Sequence, residues 1–106
     1  MLEIFKEIWM EREHVSFVSG RDILWFSPSC FAHVLPKGEG FFPEYKFRKE
    51  NIVLVTIEEH GLIDHGTEAK RKAYAADWNR LHRLGVELRK EYELTYGKHT
   101  SRMYQD

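Results

Sequence analysis

A β-branched run that passes straight into a capping box constrains this chain more than any other feature. Ile52, Val53, Leu54 and Val55 stand in a row, the composition of a buried strand. Thr56 follows at once, with Glu59 three residues later. At that spacing the Thr hydroxyl accepts from the third amide of a helix, and the Glu carboxylate reaches back to the Thr amide. The chain therefore turns from strand to helix without a loop, and the helix begins at residue 57. Gly66 is placed to end it. His60 and Asp64, four residues apart, fall on one face of that helix.

Other elements assemble around this junction. Residues 2–13 read as a helix, with Leu2, Phe5, Ile8 and Trp9 on one stripe. Ser19, Gly20, Arg21 and Asp22 signal a turn between residues 15–18 and 23–26, a small hairpin. Residues 31–35 are short, apolar and closed by Pro36, so they read as a strand. Residues 37–45 form a loop rich in aromatics. Phe41, Phe42, Tyr45 and Phe47 either plug the open end of the sheet or offer a stacking surface to single-stranded or distorted DNA. Thr67 caps a second helix, predicted over 67–96. Its Tyr74, Trp78, Leu81, Gly85, Leu88 and Tyr92 repeat at spacings of four and three. That narrow seam packs on the core or joins a second copy as a homodimer through residues 74–92.

The chain has 106 residues, which suits one domain over 1–106. With 42% hydrophobic residues it has the material for a core. No run is long and apolar enough for a membrane span. The charged N-terminus is not a secretory leader, and a single cysteine, Cys30, makes neither an internal disulfide nor a multi-cysteine zinc site. The expected compartment is the cytoplasm. Net charge is −1, so bulk electrostatics do not announce a nucleic-acid partner. Lys46, Arg48 and Lys49 do cluster before Asn51, and Lys70, Arg71 and Lys72 follow the second histidine segment. These are either a side facing a phosphate backbone or a solvated surface.

Three residues in order carry the chemistry: His33 at a strand end, Asn51 before the next strand, and His60 on the helix. A neutral imidazole at His33 is suited to take a proton from water. The Asn51 amide offers both donor and acceptor and is placed to brace the loop after His33. His60 and Asp64 suit one divalent metal ion, with Mg²⁺, Mn²⁺, Ni²⁺ and Zn²⁺ all open. Such an ion stabilises charge developing on a phosphoryl group.

The segments Ala32-His33-Val34-Leu35-Pro36, Asn51-Ile52-Val53-Leu54-Val55-Thr56 and Glu59-His60-Gly61-Leu62-Ile63-Asp64 resemble the HNH endonuclease motif, in wording close to phage-type HNH proteins. The resemblance covers about residues 14–66. It implies a ββα-metal fold that cuts or nicks DNA, with the core motif over 30–66. It also implies His33 as general base, Asn51 as structural Asn, and His60 and Asp64 as metal ligands. Lys37, Lys46, Arg48 and Lys49 would then meet phosphates.

Two positions depart from the pattern. The residue before the base is usually a metal-binding Asp or His, and here it is Ala32. That leaves two protein ligands and more water. Many HNH proteins carry Cys-x-x-Cys-Gly of a zinc knuckle where this chain has Ser16, Ser19 and Gly20. Serine is a poor zinc ligand, so the segment is either a zinc-free relic held by packing through Phe17 and Trp25, or an ordinary Ser-Gly turn.

The combined expectation is an α+β domain: a ββα-metal centre preceded by a helix and hairpin and followed by a long helix. Its expected function is metal-dependent DNA endonuclease or nickase. The alternatives are a nucleic-acid-binding module that has lost cutting, and a helix-mediated interaction protein.

Overall fold

The computed structural model describes residues 1–36 and 42–97. In chain order its elements are α1 (Leu2–Glu11), β1 (Phe31–His33), β2 (Ile52–Leu54), α2 (Ile57–His65), α3 (Glu68–Ala73) and α4 (Trp78–Tyr96). Single 3-10 turns occupy Pro28–Cys30, Pro43–Tyr45 and Lys49–Asn51. The fold is mixed α/β. Among the described residues, no helix is long and apolar enough to cross a membrane.

β1 and β2 pair antiparallel, with Phe31 opposite Leu54, Ala32 opposite Val53 and His33 opposite Ile52. Both are shorter than their apolar runs. Beyond His33 the Val34 amide still donates to the Asn51 carbonyl at 2.8 Å. The next amide, of Leu35, donates to the Asn51 side chain instead. A side chain thus takes over where the ladder stops. β2 runs into α2 as its sequence predicts, with both halves of the Thr56–Glu59 capping box formed.

The predicted hairpin is reduced to one bridge, Val15 to Asp22. The reason is Ser16. Its hydroxyl accepts from the Val18 and Ser19 amides, a local arrangement that competes with strand pairing. The turn closes at Gly20, whose φ of +74° suits glycine. The Phe17 amide then docks the turn on the Leu54 carbonyl at 2.8 Å.

The predicted long helix is broken. α3 stops at Ala73, and α4 starts afresh with Asp77 as its N-cap, accepting from the Arg80 amide. The Asp77 amide donates to the Val18 carbonyl at 2.6 Å, and the Trp78 indole donates to the Arg71 carbonyl. Tertiary bonds at the break outweigh the helical propensity of the sequence across it.

Among the described residues, three apolar clusters fill the interior. Phe5 and Ile8 of α1 meet Phe31, Ile52 and Leu54, with the Phe5 and Phe31 rings stacked at 4.5 Å. Val18, Ala32, Val53 and Val55 form a second cluster. Leu35, Phe42, Tyr45, Leu88 and Tyr92 form the third. Phe42 and Tyr45 therefore plug the sheet end, whereas Phe47 is exposed; Phe41 lies outside the described residues. The α4 seam faces inward as well. Leu88 and Tyr92 are buried within the chain, while Tyr74, Trp78, Leu81 and Gly85 are half-buried, so the C-terminal part of the seam packs on the core.

Burial of the seam makes a measurable claim. Leu88→Ala should cost about 2–5 kcal/mol in urea unfolding. The midpoint should not vary with protein concentration; a concentration-dependent midpoint would return the seam to an interface.

Candidate functional site

β1, the 3-10 turn at Lys49–Asn51 and α2 bring the sequence-selected residues to one place. His33, His60 and Asp64 line a single cleft of about 650 Å³, floored by Phe5, Phe31 and Ile63. Asn51 stands behind it and is completely buried. Its Oδ1 accepts from the Leu35 amide at 2.7 Å, and its Nδ2 donates to the Leu35 carbonyl at 3.0 Å and the Tyr45 carbonyl at 3.3 Å. The amide thus ties the loop after His33 to the turn at Pro43–Tyr45, the bracing its donor–acceptor pair predicts.

Both histidines have a backbone carbonyl against one ring nitrogen. His33 Nε2 lies 2.9 Å from the Lys46 carbonyl, and His60 Nδ1 lies 2.9 Å from the Ser29 carbonyl. A carbonyl only accepts, so each of those nitrogens carries a proton. In the neutral rings the basic positions are then Nδ1 of His33 and Nε2 of His60. His60 Nε2 faces Asp64 Oδ2 at 3.1 Å. Two neighbouring ligands on a divalent ion, with bonds of about 2.1 Å, stand about 3 Å apart. The spacing of the pair therefore suits an ion held between them. No group of three or more His, Cys, Asp or Glu side chains suited to an ion stands together among the described residues. A donor set of these two side chains would fit an ion that keeps several waters.

Ala32 explains why β1 adds nothing to the pair. It is enclosed with Val18, Val53 and Val55, on the strand face opposite His33. His65 is still within α2 and exposed, and the cleft lining does not include it.

Two of the basic residues before Asn51 are paired with carboxylates. Arg48 is paired with Glu50 at 3.0 Å and Glu91 at 2.6 Å, and its guanidinium lies 4.6 Å from the Tyr45 ring centre. Lys49 bridges to Glu11 at 2.8 Å and Glu7 at 3.6 Å, and the Glu11 bond raises its pKa. Both cations are engaged in holding α1 and α4 to the turn at Lys49–Asn51. Lys46 packs against the Phe47 ring, and Lys37 lies outside the described residues.

The residue that sequence reasoning missed is Glu59. Its carboxylate is fully buried and collects four donors. Ser16 and Thr56 N–H reach Oε1 at 2.5 and 2.9 Å, while Ser19 and the Tyr74 hydroxyl reach Oε2 at 2.5 and 2.8 Å. Arg21 stands 3.8 Å off. Burial alone would push this carboxyl up, but the hydrogen bonds outweigh it and hold the pKa below the ordinary 4.5. The two serines are thus held through a carboxylate, and the exposed Trp25 does not pack the turn. The sequence carried one signal for Glu59, its capping-box position, and no sign of the other donors. Cys30 beside it is a buried small side chain whose thiol is pushed up by burial and by Glu59.

No family model, curated protein or solved structure matches this chain.

Glu59 links stability to acid. Because its folded pKa is lowered, its contribution is complete above pH 4.5 and is lost as pH falls through the lowered value. Glu59→Gln should lose about 1–3 kcal/mol at neutral pH. The gap to the parent protein should narrow in acid, as read by urea unfolding across a pH series. A pH-independent gap would contradict this linkage. Asn51→Ala strands the Leu35 amide and two carbonyls, and should likewise cost about 1–3 kcal/mol in the same assay.

Proposed function

We propose that this chain is a divalent-metal-dependent phosphodiester hydrolase acting on DNA, with a ββα-metal centre formed by β1, β2 and α2. The observation that carries the reading is the convergence of His33, His60 and Asp64 on one cleft, with buried Asn51 bracing the loop beside it. The resemblance of the same residues to the HNH motif supports it.

Each side chain has a definite part. The Lys46 carbonyl fixes the His33 tautomer, so Nδ1 accepts the proton of an attacking water. The water oxygen bonds to phosphorus as the bond to the leaving oxygen breaks. The Ser29 carbonyl orients His60, as a backbone acceptor does for a ligating imidazole. His60 Nε2 and Asp64 would hold the ion. When bound, the ion supplies stabilisation of negative charge on the phosphoryl and leaving oxygens. Phe5, Phe31 and Ile63 limit water around the reacting group.

A second reading has its own observation. Ala32 is sealed in the core, so an ion there would have two protein ligands among the described residues, which favours a DNA-binding module that no longer cuts.

Supercoiled plasmid distinguishes the two. With Mg²⁺, Mn²⁺, Ni²⁺ or Zn²⁺ offered separately, the chain should nick plasmid with at least one. His33→Ala should slow nicking by about 10²-fold or more, and Asp64→Asn should raise the metal concentration needed for half-maximal rate. Nicking that persists unchanged in His33→Ala removes the assignment of the base, and no nicking with any of the four ions leaves the binding module.

A further inference from the structure

A groove of about 330 Å³ runs between the loop after β1 and α4, and Arg71, His82 and Arg89 line it. Among its described lining residues there is no Asp or Glu. That is unusual for this chain, in which Asp and Glu number 17 against 16 Lys and Arg. The groove shares Val34 and Pro36 with the His33 cleft, so the two depressions adjoin along one short stretch of backbone. From these observations we infer that the groove is the track for one DNA strand leading into the cleft, with Arg71 and Arg89 meeting its phosphates. The inference rests on the phosphodiester reading of the cleft and adds where the flanking nucleotides lie.

The chemistry of the walls fits that occupant. His82 and Arg89 are seven residues apart on α4, a rise of about 10.5 Å. One strand of a duplex passes a phosphate about every 3.4 Å along the axis, so the interval spans about three steps. Beside these residues, Val34, Leu81 and Val86 make an apolar wall suited to sugar and base faces. Arg89 is exposed, although its guanidinium lies 5.8 Å from the centre of the Phe42 ring. Arg71 donates to the Gly66 carbonyl through one terminal nitrogen, which aims the guanidinium from the end of α2. Arg48 and Lys49 are tied to carboxylates elsewhere, whereas no carboxylate among the described lining residues competes for these two arginines in the groove.

Gly85 is the groove's other sign. A β-carbon there would meet only Val34 Cγ1, at 3.5 Å. Helix packing therefore does not demand glycine, and glycine lowers helix propensity. Its absent side chain leaves the groove open in the middle of α4.

The test is metal-free binding of a short fluorescein-labelled DNA duplex, followed by anisotropy over a salt series with the full chain. The parent should bind, with affinity falling steeply as salt rises. Arg71→Gln with Arg89→Gln should weaken binding about 10-fold or more at low salt and reduce the log–log salt slope by about two. Val86→Glu places a carboxylate on the exposed wall, and Gly85→Leu fills the groove. Both should weaken binding while circular dichroism and the urea midpoint show a folded chain. Unchanged slope and affinity in the paired arginine variant and in Val86→Glu, or no binding by the parent, would overturn the track. Plasmid nicking with an unaltered slope would overturn the track alone. Binding that follows the arginines without nicking would overturn the nuclease reading and leave the track standing.

Discussion

The buried carboxylate of Glu59 is the interaction on which the arrangement depends. A charge removed from water is costly unless its lone pairs are filled. Here the filling comes from three places in the chain: the turn at Ser16 and Ser19, the start of α2 at Thr56, and Tyr74 at the break between α3 and α4. The need to satisfy one group therefore fixes three backbone segments against one another. His60 is the next residue along α2, so the helix face that carries it and Asp64 is set by the same constraint. Low local dielectric strengthens each of these bonds and magnifies the loss of any one.

Asn51 plays the corresponding part on the other side of the cleft. It is neutral, so its satisfaction is a matter of geometry: one acceptor and two donor contacts, all to backbone. Those contacts continue the β1–β2 pairing past the point where the strands diverge. His33 is thereby kept at a strand end, and Leu35 is tied to the turn at Pro43–Tyr45. The ion pairs of Arg48 and Lys49 sit at the same turn. Exposed pairs of this kind contribute little individually. Their value is in excluding other positions for α1 and α4.

Local signals in the sequence were legible and long-range ones were not. The strand at Ile52–Leu54 and the capping box at Thr56 and Glu59 were readable because both depend on neighbours a few residues away. Asn51 was readable because its side chain has few uses beside a strand end. The break at 74–77 was hidden, since the helical pattern runs through it and bonds to the Val18 carbonyl, Glu59 and the Arg71 carbonyl favour a turn there. Arg48 and Lys49 looked like free cations because Glu91, Glu7 and Glu11 are distant in sequence. The α4 seam was visible as a periodic stripe, but periodicity does not say whether an apolar face meets its own chain or another. The division of Ser16 and Ser19 between two oxygens of one carboxylate had no sequence signature.

The reach of the Glu59 bonds has a consequence for modularity. Ser16 is 43 residues away from it and Tyr74 is 15. A peptide cut at residues 30 and 66 would keep every residue of the His33–Asn51–His60–Asp64 set. It would nevertheless leave that carboxylate with its own capping amide and little else. The motif is thus not a cassette to be moved between scaffolds. Its residues fall within 33–64, while Ser16, Ser19 and Tyr74, which fix the Glu59 carboxylate beside His60, lie outside that stretch.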